Sequence, residues 1–269
     1  MPTLAPKLGK NNLMQLHQIT PLILTYNEAP NIDRTLQCLS WASQIIVIDS
    51  ISTDETLEIL SQYANVQVYQ RPFDTHATQW NFGIDQVPTE WCLSLDADYL
   101  VTPALLTELQ HLSPPADLDG YYLPFKYCVF GQPLRGTILP PRQALFRQHR
   151  ARYIDDGHTQ LLQVQGQSAH LSAPLHHDDR KPLAHWLWAQ NRYMVLEAKK
   201  LTTTPTRQLS LSDKIRKTKV LAPFMVLLYC LILKGGILDG WRGWYYAAQR
   251  TLAELLLAIH LIELKFKQH

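Results

Sequence analysis

The chain has 269 residues, of which 46% are hydrophobic and 18% charged, and its formal net charge is +2. That is room for one large domain or a domain with an appendage, with too much apolar material for global disorder. So small a charge does not imply nucleic acid as a partner, and none is expected, although basic residues cluster locally after position 199.

Cys38, Cys92, Cys128 and Cys230 show no C-x-x-C spacing and lie in or beside apolar stretches. Reduced thiols fit this better than a zinc site or a disulfide framework. The opening MPTLAPKLGKNNLMQLHQ lacks the apolar core of a signal peptide, so residues 1–17 read as a flexible leader.

ITPLILTYN (19–27) is a short apolar run, hence a strand. Residues 31–43 then carry Ile32, Leu36 and Leu39 at helical spacing. QIIVIDS (44–50) is a β-branched strand, and Ser52-Thr53-Asp54-Glu55 offers capping residues for a second helix. VQVYQ (66–70) is a third strand, 76–86 a third helix and WCLSLD (91–96) a fourth strand. Thr102 caps a helix over 103–112, with Pro103 in its first turn.

Strand followed by helix, four times over, predicts a doubly wound, mostly parallel α/β sheet. In such sheets ligands bind beyond the carboxyl ends of the strands. TYNE, DSISTDE and DAD all fall at those ends. Residues 120–180 read as added short antiparallel strands and loops, completing a catalytic domain over 18–180. Residues 181–269 form a helical C-terminal region, with TTTPTRQLSLS as a linker inside it.

Asp96 and Asp98 close an apolar strand and point the same way if the backbone stays extended. Ionised carboxylates are costly to bury unless paired or bound to metal. Two with this spacing can share a hard cation, magnesium or manganese, that bridges phosphate oxygens; a pair of aspartates capping the next helix is the competing reading. Asp49 closes the second strand, where a carboxylate can accept from a ribose or base. Thr25, Tyr26, Asn27 and Glu28 place donors and acceptors after the first. No G-x-G-x-x-G or P-loop occurs.

ILTYNEAPNIDRTL, IIVIDSISTDET and HATQWNFGIDQVPTEWCLSLDADYLV together resemble the family 2 glycosyltransferases of GT-A fold. The order T-x-N-E, D-x-x-S-x-D-x-T, a helix with Ala, Asn and Gly, then D-x-D is that family's. RPFDTHATQWNFGI, DDGHTQ, HDDRKPLAHW and GGILDGWRGWYYAAQRTLAE look like the branch containing lipopolysaccharide core β-1,4-glucosyltransferases. That branch commonly shows V-H-E where this chain has Gly157-His158-Thr159.

The resemblance implies a metal-dependent, inverting hexosyltransferase with a nucleotide-diphosphate sugar donor, UDP-hexose by default, and Mn2+ or Mg2+ as cofactor. Asp96 and Asp98 would hold the metal and diphosphate. Asp49, Ser52 and the Thr25–Glu28 segment would hold the nucleoside, with Arg71, Gln79 and Asn81 lining the pocket. Inverting transfer needs a base for the acceptor hydroxyl. Asp156 is the first choice and Asp155 the second, with His158 either a third metal ligand or a hydrogen-bond partner of a phosphate. His176 to Lys181 is a second polar cluster, read either as an acceptor-side lid with Arg180 and Lys181 on phosphate or as a charged loop. Trp186, Trp188 and Tyr193 read as core or interface residues.

VLAPFMVLLYCLIL (220–233) is apolar, yet shorter than the about 20 residues of a span and broken by Pro223. Lys214, Arg216, Lys217 and Lys219 precede it. Trp241, Trp244, Tyr245 and Tyr246 follow it, and then comes an amphipathic stretch from Leu252 to Leu264. Peripheral or monotopic attachment to the cytoplasmic face of the inner membrane is the preferred expectation, with a lipid-linked or envelope glycan as acceptor. A buried hairpin or a homo-oligomer interface is the alternative. A sugar-phosphate nucleotidyltransferase and a non-catalytic nucleotide-sugar or glycan-binding scaffold stay open as other functions.

Overall fold

The computed structural model describes residues 13–156 and 159–267. The chain opens with β1 (Ile19–Thr25), α1 (Ile32–Gln37), β2 (Ile45–Asp49), α2 (Thr56–Ser61), β3 (Val66–Gln70), α3 (His76–Gln86) and β4 (Trp91–Asp96). It continues through β5 (Tyr99–Val101), α4 (Pro103–Gln110), β6 (Leu118–Leu123), β7 (Phe125–Val129), β8 (Gln132–Pro133) and β9 (Arg142–Arg147). Next are β10 (Ala151–Asp156), β11 (Thr159–Val164), β12 (Gln167–His170), β13 (Leu175–His177), α5 (Leu183–Thr203), α6 (Leu211–Lys217), α7 (Leu221–Leu228) and α8 (Trp241–Lys267).

The main sheet has seven strands in the order β12-β6-β9-β4-β1-β2-β3. β1 is parallel to both β2 and β4, with Thr25 beside Asp49 and Leu24 beside Asp96. Its antiparallel member is β9, paired with β4 on one side and β6 on the other. From β1 the chain winds outward to β3, then crosses back to lay β4 on the opposite side of β1. That switch leaves a crevice at the carboxyl ends, the usual ligand position in such sheets.

Both faces are covered, which is why the strands read as continuous apolar runs. On one face Ile23, Val47 and Leu95 pack with Leu36, Leu60, Leu105 and Leu109 from α1, α2 and α4. On the other, Leu22, Ile46 and Ile48 meet Ala77, Trp80 and Ile84 of α3, with Tyr153 and Leu162 of the β10–β11 hairpin. A second sheet, β5-β13-β7-β8, sets His177 opposite Tyr99 and so carries the 176–181 cluster to the end of β4.

Several expectations need correction. Residues 1–12 of the expected leader lie outside the described residues, but Met14 is buried and donates its amide to the Leu112 carbonyl, because it extends the apolar core under α4. The second helix starts only at Thr56: Ser52 and Thr53 bond to the β1 and β2 loops instead, while Asp54 is divided, its Oδ2 accepting the Ala29 amide and its Oδ1 the Thr56 amide, both at 3.1 Å. Arg216 is not part of a free basic collar. It pairs with Glu254 at 2.7 Å and Glu197 at 3.3 Å, pinning α6 to α8 and α5. Tyr246 is buried, and its hydroxyl oxygen accepts from the Ile138 amide at 3.2 Å. Among the described residues, no helix is long and apolar enough to cross a membrane.

Candidate active site

The end of β2 is built around a buried carboxylate. Asp49 is 0% exposed. Its Oδ2 accepts from Thr25 Oγ1 at 2.8 Å and Ser52 Oγ at 2.5 Å, while its Oδ1 accepts from the Ser52 amide at 2.9 Å and Gln70 Nε2 at 3.3 Å. These four bonds fill the acceptor positions of one carboxylate. Asp49, Thr25 and Ser52 therefore form the brace that shapes the β1 and β2 loops. Both loops turn through left-handed backbone, at Asn27 (φ 54) and at the β-branched Ile51 (φ 62), a costly conformation that persists where surrounding bonds impose it. Asn27 Oδ1 accepts the Thr53 amide at 2.8 Å and Ser52 Oγ accepts the Asn27 amide at 2.9 Å.

This brace leaves Tyr26 and Glu28 facing a cleft of about 830 Å³ between the strand ends and α5. Glu28 is ion-paired with Lys181 and accepts from Asn31 Nδ2 at 3.0 Å. Burial pushes its carboxyl up to about 7 despite the lysine.

Asp96 accepts from Arg142 at 2.8 Å, and the guanidinium lies 5.6 Å from the centroids of both the Trp80 and Tyr99 rings. Burial would raise the Asp96 carboxyl, but Arg142 and Tyr99 outweigh it and hold it below the usual carboxylate range. The Asp96 side chain is still 41% exposed. Asp98 accepts from or pairs with His177 Nε2 at 3.0 Å. Burial would lower the His177 imidazole, yet Asp98 overrides this and raises it. Asp98 Oδ1 remains buried without a partner. That orphaned oxygen, with the exposed Asp96 carboxylate two positions earlier in the chain, is an oxygen donor set that fits magnesium or manganese, with phosphate oxygens and water available to complete a shell. Among the described residues, no group of three histidine, cysteine or carboxylate side chains is positioned to hold a metal by itself.

Asp155 lines the cleft. It lies two residues beyond Tyr153, which stacks on Trp80 at 5.2 Å, so strand alternation carries it out of the core on the same face. The Asp156 side chain and His158 lie outside the described residues.

Three expected pocket residues serve elsewhere. Asn81 is spent on β10, donating to the Tyr153 carbonyl and accepting its amide, both at 2.8 Å. Arg71 rests over Phe82 at 5.1 Å and donates to the Thr78 carbonyl at 3.2 Å. Gln79 is fully buried and donates to Ser50 Oγ at 2.9 Å. None of the three lines the cleft.

Sequence reasoning missed Arg142 and the cleft-facing side of α5. His185, Trp188, Arg192 and Tyr193 of α5 line the cleft, with Trp188 53% exposed and Arg192 4.8 Å above its ring. Trp188 and Tyr193 are thus cleft residues rather than core. Their spacing was the available signal, since residues three and four apart share a helix face. Arg142 carries no such signal: one arginine at the start of a strand looks like any surface residue.

The 178–181 segment anchors α5 over the strand ends. Arg34 donates to Asp178 at 2.7 Å, Asn31 to Asp179 at 2.9 Å, and the Asp178 amide to the Asp98 carbonyl at 3.0 Å.

Residues 22–136 match the family model described as Glycosyl transferase family 2. An uncharacterized glycosyltransferase of Rickettsia bellii is 30% identical over 105 residues, which are 39% of this chain and 35% of that one. The lipopolysaccharide core biosynthesis glycosyltransferase LpsC of Rhizobium meliloti is 26% identical over 103 residues, 37% of this chain and 38% of its own. The chain thus matches well under half the length of either relative. Among solved structures, S. aureus TarS 1-349 in complex with UDP-GlcNAc is similar with a TM-score of 0.49 and 16% identity, covering 93% of this chain and 91% of that one. The matched residues 22–136 carry the strand-end loops and both aspartates of DAD, so the similarity to glycosyl transferase family 2 falls on the candidate site itself.

Proposed function

We propose that this chain transfers a hexose, with inversion, from a nucleotide-diphosphate sugar to a lipid-linked or envelope glycan. The observation that carries this reading is the buried, unpartnered Asp98 Oδ1 close in sequence to the exposed Asp96, at the sheet's switch point. The nucleoside would rest against the Tyr26–Glu28 loop, which the Asp49 brace holds in shape. Asp96 and Asp98 would hold Mn2+ or Mg2+ with the diphosphate, where a divalent cation offsets charge on the leaving group. Lys181 and Arg192 add positive charge to the cleft wall. Asp156, or Asp155, which lines the cleft, would take the proton from the acceptor hydroxyl. The freed oxygen attacks the anomeric carbon on the face opposite the diphosphate, which departs with the bonding electrons.

The acceptor class is proposed from the similarity to LpsC and from the C-terminal surface. Phe224, Leu228, Ile232, Leu233, Leu238 and Trp241 are all exposed. So many exposed apolar side chains within residues 224–241 suit an interaction surface, and with Lys214, Lys217 and Lys219 close by in sequence they suit the anionic cytoplasmic face of the inner membrane.

The test is calorimetric titration of UDP-glucose and other nucleotide sugars, with and without Mn2+. Metal-dependent binding that disappears in Asp98→Ala is expected. Binding that ignores both metal and the substitution would overturn the donor assignment. Donor consumption measured in Asp155→Asn and Asp156→Asn separates the two candidate bases.

A further inference from the structure

A second cavity, of about 210 Å³, lies between the β7–β8 turn, the start of α5 and α8. Tyr127, Phe130, Trp186 and Tyr245 supply ring faces, and Asp179, Arg180 and Gln249 supply polar groups. We propose that it is a glycan subsite, seating one sugar ring of the acceptor. This rests on the transferase reading above and names where its acceptor binds.

Three observations converge. The first is chemistry. A pyranose presents an apolar C–H face and a rim of hydroxyls, so it needs a ring to lie on and planar polar groups at its edge. Aromatic rings with carboxylate, guanidinium and amide groups meet both needs. The size is small beside the donor cleft, and below the roughly 300–1,000 Å³ of pockets for larger ligands.

The second is the backbone at Phe130. It sits at φ 50, followed by Gly131 at φ 81. A left-handed aromatic residue costs about 1–3 kcal/mol and persists where the surroundings impose it. Here they do: the Gly131 amide donates to Asp178 Oδ1 at 3.0 Å, and Asp178 is itself buried between Arg34 and Arg180. The strain holds a ring that is 57% exposed, with its centroid 5.7 Å from Tyr245 and 5.8 Å from Trp241. A turn needing only the backbone path would be served better by glycine or asparagine.

The third is position. Lys181 lines this cavity and the donor cleft alike. A sugar seated on Phe130 and Trp186 therefore lies on the far side of one side chain from the donor site.

The test uses saturation-transfer NMR and tryptophan fluorescence with methyl β-glucopyranoside, maltose and cellobiose, on wild type, Phe130→Gly and Trp186→Ala. At least one glycoside should bind wild type, and each substitution should weaken it by about tenfold. Phe130→Gly should keep or raise Tm, since glycine relieves the strained φ, so a lost signal there is not unfolding. UDP-glucose affinity in the presence of Mn2+ should stay unchanged in both variants. If wild type binds UDP-glucose but no glycoside, or binds glycosides equally with and without Phe130, the subsite is wrong and the transferase reading survives. Phe130-dependent glycoside binding without donor binding would sink the transferase reading and leave the subsite. If Phe130→Gly instead lowers only vesicle binding, the ring is a lipid contact and the subsite falls.

Discussion

Lys181 and Glu28 are 153 positions apart and form an ion pair. The lysine stands just before α5, and the glutamate follows β1, so one contact ties the helix above the cleft to the loop beneath it. Asn31 extends the tie by donating to both Glu28 and Asp179.

That tie predicts a pH dependence. Burial raises the Glu28 carboxyl from its ordinary 4.5 to about 7. Between those values the folded chain holds a proton that the unfolded chain has released, so stability falls as pH rises through that window. Below about 4.5 the contribution is fully present, and above about 7 it is lost. Thermal melts from pH 4.5 to 8 should show this decline in wild type and a shallower one in Glu28→Gln. Identical slopes would mean that Glu28 is ionised throughout.

The sheet was legible because its central strands β1, β2 and β4 are buried on both faces and separated by helices of plain periodicity. Ile45–Asp49 and Trp91–Asp96 read as strands from composition alone. The strand ends were legible because burying Asp49, Asp96 and Asp98 makes sense only with partners. What remained hidden were the partners supplied from far along the chain. Nothing near Arg142 says that it meets Asp96, and nothing near Asn81 says that it is spent on the Tyr153 backbone. Such roles follow from tertiary packing, which local pattern does not encode. The Ser52–Glu55 segment misled for a related reason, since capping residues can bond to a neighbouring loop as readily as to a helix end.

Asp49 should prove a structural keystone as much as a ligand contact. Replacing it by alanine strands the Thr25 and Ser52 hydroxyls, the Ser52 amide and Gln70 Nε2 around a buried gap. A loss of about 3 kcal/mol is expected in urea unfolding. Donor binding should fail in the same variant even at temperatures where it stays folded, because the Asn27 and Ile51 turns lose their brace. An Asp49→Ala chain of unchanged stability would show that the carboxylate serves the ligand alone.

Gly83 is needed for close packing of α3 on the sheet. A Cβ there would stand 2.6 Å from Leu22 Cδ1 and 3.0 Å from Ile48 Cγ1. Alanine is the better helix former by about 1 kcal/mol, but overpacking a dense core costs about 1–3 kcal/mol. Leu22 and Ile48 are both 0% exposed, so neither has free space to retreat into. Gly83→Ala should therefore lower Tm, whereas a higher Tm would mean that the helix shifts at little cost.

The basic residues before the 220–233 run divide into two kinds, and vesicle binding can tell them apart. Arg216 is held by Glu254 and Glu197, which are 5% and 8% exposed. Removing it in Arg216→Met takes the guanidinium from the buried Glu254, at about 3–5 kcal/mol, while Glu197 keeps Lys200 at 4.0 Å. The expected result is early melting of the α5–α6–α8 packing. Lys214, Lys217 and Lys219 sit on or near the surface, where each contributes about 1 kcal/mol to attraction by an anionic bilayer. Changing all three to alanine should weaken binding to phosphatidylglycerol vesicles by roughly a hundredfold at low salt, with Tm unchanged. Phosphatidylcholine vesicles should distinguish the lysines little, because only the apolar contacts of Phe224, Leu228 and Ile232 act there. Equal binding of the triple variant and wild type to the anionic vesicles would remove the electrostatic part of the membrane reading and leave the exposed apolar face to another occupant.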